Sequence, residues 1–286
     1  MANPQNKRSL PQIICNAFWR PKLAIEDFAP FAVRVDNLYC KKGALSRFTN
    51  AFGTPESIPS FAFIAGFPIV LQCLAQSSIP SKLMGLIHIS TEFTVHSPHN
   101  WLLPTDIEVE IAAVDQSEKG KVYRLVTRFY QQGQLTLTNT NQMLDKLRGY
   151  KPNRVVGNKH EELELSKSLC SIAIDLKTAL SYAWLSKDFN PIHIHPWLAR
   201  KFGLPKALIH GMFNVHYLLS RLPQQAQLET KHIRVEFNKP CYLPNRVFIK
   251  QYGDKQLFGL FSKDNSERYL KLEIETNSSR VPSKNI

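Results

Sequence analysis

The chain has 286 residues, 43% of them hydrophobic and 21% charged, a globular balance that excludes a disordered or fibrous protein. The length is that of two domains of ordinary size, and no uncharged apolar run is long enough for a membrane-spanning helix. The net charge of +13 attracts anionic partners in general, but Lys and Arg are scattered without a long basic run or a zinc-finger or ribonucleoprotein pattern, so nucleic-acid binding is not expected.

Residues 1–19 carry basic groups and then a short, broken apolar run, which does not fit a secretory signal. A cytoplasmic location is therefore expected. Cys15, Cys40, Cys73, Cys170 and Cys241 are odd in number, far apart and never spaced C-x-x-C, which argues against a disulfide framework or a thiolate zinc site. They are expected to act mostly as buried small hydrophobes.

In chain order, the strand-like AVRV of residues 32–35 leads to Asp36, read as the cap of a helix start. An apolar helix entered through a glycine follows, carrying IAGF at residues 64–67. Ile87, Ile89, Thr91, Phe93 and Val95 then alternate with polar residues, as do Ile107, Val109 and Ile111, and residues 121–130 and 134–139 continue the pattern. Period-two alternation repeated this often signals an antiparallel sheet with one buried face. Residues 148–167 are polar, without apolar periodicity, and read as a linker.

The same order then recurs. CSIAI at residues 170–174 leads to Asp175, a second candidate cap, and a helix is expected from Gly211 through Leu222, ending at Pro223. It is apolar over most of its circumference, as befits a helix enclosed by a sheet. Strands are expected around Ile233, Val235 and Phe237, around Val247 and Ile249, from Leu257 to Phe261, and from Tyr269 to Ile274. Two local matches fix the repeat: IAGF resembles IHGM at an offset of 145, and HISTEF at 88–93 resembles HIRVEF at 232–237 at an offset of 144. The chain therefore reads as a duplicated module, residues 1–148 and 149–286. Its class is α+β, each half a curved antiparallel sheet wrapped around a central helix, with the two halves paired as an intrachain pseudo-dimer and a further homodimer left open.

The chemistry concentrates in SYAWLSKDFNPIHIHPWLARKFGLPKALIHGM, residues 181–212. Pro191 biases Asn190 away from the α region, so the helix opening after Asp175 must stop near Asp188. Asp188 and His193 flank the resulting tight turn, where their side chains can meet on one water. Asn190 reads as the turn-former that orients them, and a new helix starts at Pro196 and stops at Gly203. A carboxylate and an imidazole on one water can take one proton and supply another without a metal or a redox cofactor. Gly211 stands where a helix start offers free N–H groups to a developing oxyanion. The spacing of His193, His195, His210 and His216 lacks a matching Cys or carboxylate ligand set, so no metal site is expected; His195 and His210 read as supporting groups.

The order Asp188-Phe-Asn190-Pro191-Ile-His193 resembles the D-x-N-P-[IL]-H signature of the MaoC-like (R)-specific enoyl-CoA hydratases. Tyr182, Ser186, Ala199, Phe202-Gly203 and Ile209-His210-Gly211-Met212 extend the resemblance, and the rest of the chain looks like the double-hot-dog members. The resemblance implies a tandem hot-dog fold and reversible hydration of trans-2-enoyl thioesters of coenzyme A or an acyl carrier protein, a hydro-lyase reaction without a cofactor. It further implies Asp188 and His193 as the acid–base pair, and Gly211, Asn190, Ser186 and Met212 as oxyanion or substrate contacts. Lys187 departs from the family, which has glycine there; a positive φ at that position would strain lysine. The first half has no such motif and carries Ala65 where the second has His210, so one active site per chain is expected, with the first half as scaffold or as room for an acyl tail. A hot-dog thioesterase and a non-catalytic acyl-thioester-binding subunit are the competing readings.

Overall fold

The computed structural model describes residues 28–147 and 165–276, apart from 78, 80, 82–85 and 254–255. The boundary between residues 148 and 149, most of the expected linker, Cys15 and the N-terminal segment lie outside the described residues. In the first half, β1 (Phe31–Leu38) is followed by α1 (Lys42–Phe52), α2 (Phe61–Gln76), β2 (Leu86–Val95), β3 (Thr105–Ser117), β4 (Gly120–Gln131) and β5 (Gln134–Lys146). In the second, β6 (Leu165–Ile174) precedes α3 (Leu176–Ser186), α4 (Pro191–Ile194), α5 (Pro196–Lys201), α6 (Gly211–Leu219) and α7 (Gln224–Leu228). The strands β7 (Thr230–Phe237), β8 (Asn245–Tyr252), β9 (Leu257–Phe261) and β10 (Arg268–Thr276) complete it.

All ten strands form one antiparallel sheet in the order β1-β3-β4-β5-β2-β7-β10-β9-β8-β6. Read from the centre outward, each half has the same internal order, so β2 and β7 join two copies of one module. The sequence offset of 144 carries Thr91 onto Val235, and these two residues pair across the seam. A pseudo-twofold axis through the seam requires that pairing.

Each central helix precedes the seam strand of its own half. The α2 sequence FAFIAGFPIVLQCLAQ contains no charged residue, and the helix packs across β1, β3, β4 and β5. Its Ile64, Ile69 and Cys73 join the core of Val109, Ile111, Leu125 and Phe129. In the second half α6 buries Met212, Phe213, Val215, Leu218 and Leu219. No helix among the described residues is long and apolar enough to cross a membrane. Cys73 and Cys241 are buried and Cys40 and Cys170 half-buried, all four as free thiols.

Three local expectations are corrected. Asp36 does not cap a helix: it lies within β1, held by Arg34 at 2.7 Å, and α1 starts at Lys42 without a side-chain cap. The first central helix is not entered through Gly66, because α2 already begins at Phe61; Gly66 sits mid-helix, where a Cβ would come within 3.1 Å of Thr127. The second central helix ends at Leu219, three residues before Leu222. Asp175 does cap α3, in a reciprocal box with Thr178: its carboxylate accepts the Thr178 N–H at 2.8 Å.

Candidate active site

The segment from Tyr182 to Met212 folds as its turn chemistry dictates. Helix α3 stops at Ser186, and Lys187 adopts the left-handed conformation at φ 64° that terminates it. The strained position expected at Lys187 is therefore real, at a cost of about 1–2 kcal/mol for a non-glycine residue. Its ammonium offsets part of this by lying 5.6 Å from the Trp184 ring. Lys187→Gly is expected to stabilise the fold by about 0.5 kcal/mol, the relief of strain less the lost cation–π contact. Urea unfolding reads the difference, and a less stable variant would show that the ammonium does more than cover Trp184.

Past this turn the backbone is pinned by side chains. Asp188 N–H donates to Ser186 Oγ at 3.2 Å, Asn190 N–H donates to Asp188 Oδ1 at 3.1 Å, and Ile192 N–H donates to Asn190 Oδ1 at 3.3 Å. Asn190 thus caps α4, with Pro191 at its first position. His193 Nδ1 donates to the Leu208 carbonyl at 3.0 Å. That bond fixes the tautomer and leaves Nε2 as the ring's open lone pair. His210 Nε2 donates to the Asp188 carbonyl at 3.0 Å, and its ring stacks on His193 with centroids 3.9 Å apart.

The structure thereby brings together one carboxylate oxygen of Asp188 and one ring nitrogen each of His193 and His210, all within 4.8 Å of one another. Such a set invites a divalent cation. The two rings stack 30° from parallel, and Asp188 supplies the carboxylate that the spacing of the histidines alone did not reveal. Burial raises the Asp188 carboxyl, opposed by His193 and the Asn190 N–H, and burial lowers His193, opposed by Asp188. Both groups are pushed toward their neutral forms, which narrows the gap between an acid and a base that share a site.

Asp188, His193, His210, Asn190, Gly211 and Met212 line a cavity of about 1410 Å³. Gly211 opens α6, whose start no side chain caps. Among the described residues neither the Gly211 nor the Met212 N–H has an acceptor, so both remain available at the positive end of the helix. Phe237 closes over Gly211: a Cβ there would come within 2.8 Å of the ring. Met212 is buried against the cavity. Ser186 is different, since its fully buried hydroxyl donates to the Tyr182 carbonyl and holds Asp188 from behind, off the cavity wall. His195 lies away from the cavity and caps α5, its Nδ1 accepting the Trp197 N–H at 3.1 Å.

Two features of the site were not drawn from sequence. Tyr182, named in the sequence only as part of the resemblance, lines the cavity, and its buried hydroxyl has no hydrogen-bond partner among the described residues. The cavity also runs beneath the first half, where α2 contributes Phe63, Phe67, Val70 and Leu74 and the strands contribute His88, Thr127, Asn139 and Asn141. The strand residues were legible in principle: Leu137, Asn139, Asn141 and Met143 share one face of β5, and two amides in that series break the apolar register.

Comparison with known proteins agrees with this architecture. Residues 160–256 match the family described as MaoC like domain. The 3-hydroxyacyl-thioester dehydratase X of Mycobacterium tuberculosis is 23% identical over 185 residues, 65% of this chain. The chain spans 66%, just under two thirds, of that relative's length. Among solved structures, that of HtdX from Mycobacterium tuberculosis superposes with a TM-score of 0.71 at 20% identity, covering 86% of this chain and 99% of that one. A conserved hypothetical protein of the same organism with a double hot-dog fold superposes with a TM-score of 0.50 at 10% identity, covering 87% and 96%. The paired modules of the sheet and these superpositions show a double hot-dog fold, whose second half carries the match to the MaoC like domain.

Proposed function

We propose that the protein is a hydro-lyase that adds water to trans-2-enoyl thioesters and, in reverse, removes it from (3R)-hydroxyacyl thioesters, with Asp188 and His193 as its acid–base pair. The observation that carries this reading is the pairing of a carboxyl and an imidazole of fixed tautomer at one end of a cavity shared with the uncapped start of α6. The MaoC-like match over residues 160–256 supports the same reaction class, as does the dehydratase name of the mycobacterial relative.

Chemically, the pair holds a water between its two polar atoms. As the water oxygen bonds to C3, the C2–C3 double bond opens and one water proton passes to the pair, while the pair supplies a proton to C2. One proton in and one proton out leave Asp188 and His193 ready for the next turnover. The electron density displaced onto the thioester oxygen is met by the Gly211 and Met212 N–H groups, a contribution typically worth a hundred- to a thousand-fold in rate. Asn190 and Ser186 hold the Asp188 backbone, and Met212 walls the acyl end. The basic surface suits the phosphates of coenzyme A or an acidic carrier protein. In this reading residues 1–148 form the non-catalytic half and residues 149–286 the catalytic one.

Purified protein mixed with a short trans-2-enoyl-CoA is expected to lose the absorbance of the conjugated thioester without releasing free thiol. Thiol release in place of hydration would favour a thioesterase, and tight binding with neither signal would favour a non-catalytic acyl-binding role.

A further inference from the structure

One patch of the otherwise apolar cavity wall beneath the first half is not what an alkyl chain calls for. Thr127 and Asn139 are 1% exposed and Asn141 5% exposed, yet among the described residues Thr127 Oγ1 has no hydrogen-bond partner, and Asn141 Oδ1 and the neighbouring His88 Nε2 face each other without a well-formed bond. Only Asn139 is well satisfied: its amide donates to Thr91 Oγ1 and the Glu92 carbonyl, both at 2.9 Å, and its oxygen accepts from Asn141 at 2.8 Å. A buried polar group left poorly paired calls for a hydrogen-bonding partner, and the side of the cluster not covered by protein is the cavity.

The hot-dog module itself does not require these groups. Asn139 and Asn141 pair with Phe93 and Thr91, whose repeat counterparts Phe237 and Val235 pair with Leu270 and Leu272. Thr127 pairs with Asn139 as Leu260 pairs with Leu270. Where the catalytic half has three fully buried leucines, the first half has threonine and two asparagines. The leucines lie off the cavity and the polar trio lines it, as does His88. A β-bulge between His88 and Ser90 re-phases β2 and turns His88 inward, out of step with the alternation around it.

The polar wall also stands at a defined place along a bound chain. Phe237 packs against Gly211 on one side, and its ring centroid lies 4.8 Å from that of His88 on the other. A thioester seated at Gly211 therefore sends its chain past one phenyl ring before it reaches His88, Asn141 and Thr127.

We propose that this enzyme takes acyl thioesters whose chain bears a hydrogen-bonding oxygen, a hydroxyl or an oxo group, several carbons from the thioester, received by Thr127, Asn141 and His88. The inference deepens the hydratase reading by naming its substrate class, and it is tested by binding alone, so the two can fail separately. The probes are saturated decanoyl-CoA and its monohydroxylated isomers, with the hydroxyl walked along the chain; none has a conjugated double bond to hydrate. Calorimetry is expected to show one or two isomers binding about ten-fold tighter than the plain chain, the value of roughly one well-made hydrogen bond to otherwise orphaned groups.

Asn141→Leu, which installs the counterpart residue Leu272, is expected to reverse the preference, and Thr127→Val to narrow it by a smaller factor. Agreement between the two variants guards against one failing to fold. Equal affinity for every isomer, or a preference untouched by both substitutions, would overturn the inference and leave hydration standing. Selective binding with no hydration of any enoyl thioester would sink the hydratase reading alone. Failure of every acyl-CoA to bind would count against both.

Discussion

Asp188→Asn is expected to slow hydration of a short trans-2-enoyl-CoA by about a thousand-fold, within the range that positioned acid–base groups contribute. The substitution is isosteric and keeps an oxygen for the Asn190 N–H, which now reaches Oδ1 at 3.1 Å, so the turn and the His210 bond to the Asp188 carbonyl should persist. What disappears is the capacity to take or give a proton. His193→Ala should be comparably inactive but less innocent structurally, because it strips the Leu208 carbonyl of its donor and unstacks His210. The double variant should be hardly slower than either single one, since the two groups act on one water and their losses do not add. Progress curves followed in the ultraviolet, with thermal melting as the control on folding, decide the matter. An Asp188→Asn enzyme within ten-fold of the unaltered protein would remove this carboxyl from the chemistry.

The second large effect is on stability in mild acid. Burial pushes His88 and His99 down to about 4 and His216 to about 3, against an ordinary value of 6.5. Asn141 and the Ser90 backbone oppose the shift at His88 only in part. His216 sits among the rings of Phe48, Phe52 and Tyr182 with neither nitrogen partnered. These folded-state values are depressed, so the unfolded chain binds protons that the native chain refuses. Stability is complete above about pH 6.5 and falls as the pH drops toward 4 and then 3. Each histidine contributes a slope of up to about 1.4 kcal/mol per pH unit, so the three together approach 4 kcal/mol per unit, against a total stability of about 5–15 kcal/mol. Urea unfolding at pH 7, 6 and 5 should show the loss directly. His216→Leu should flatten the slope by its own share, up to about 1.4 kcal/mol per pH unit, and raise stability at neutral pH by about 1–3 kcal/mol, because it removes unpartnered polar atoms from an apolar nest. A midpoint that does not move between pH 7 and 5 would mean that these side chains find water or partners when protonated.

Strand alternation made the sheet legible, because a one-residue slip would turn a whole apolar row to solvent. The repeat was legible for the same reason: HISTEF and HIRVEF keep Thr91 and Val235 equivalent, and the seam pairs them. The Asp188 turn could be read from Pro191 and Asn190 alone, since local backbone chemistry dictates it. What escaped the sequence depends on distant partners. Asp36 looked like a cap until Arg34 claimed its carboxylate. The start of α2 coincides with Phe61 packing on Phe48 and Trp101, and Ser60 at its N-cap makes no capping hydrogen bond. The bulge that swings His88 inward has no mark in the residues around it, and the amides of β5 acquire meaning only beside the leucines of the other half. Ser186 matched a motif, yet only its place behind Asp188 shows that it props the backbone.

The seam between β2 and β7 has a consequence for how the gene can be divided. Severed from its neighbour, the fragment 165–276 would carry a raw strand edge at β7 and half of an opened cavity, an arrangement prone to stick to its own kind. Because the lost strand was a near-copy of the one left bare, the fragment's natural remedy is another fragment, turned end for end. Expressed alone, the second half should therefore sediment as a true dimer or precipitate, and not persist as a monomer.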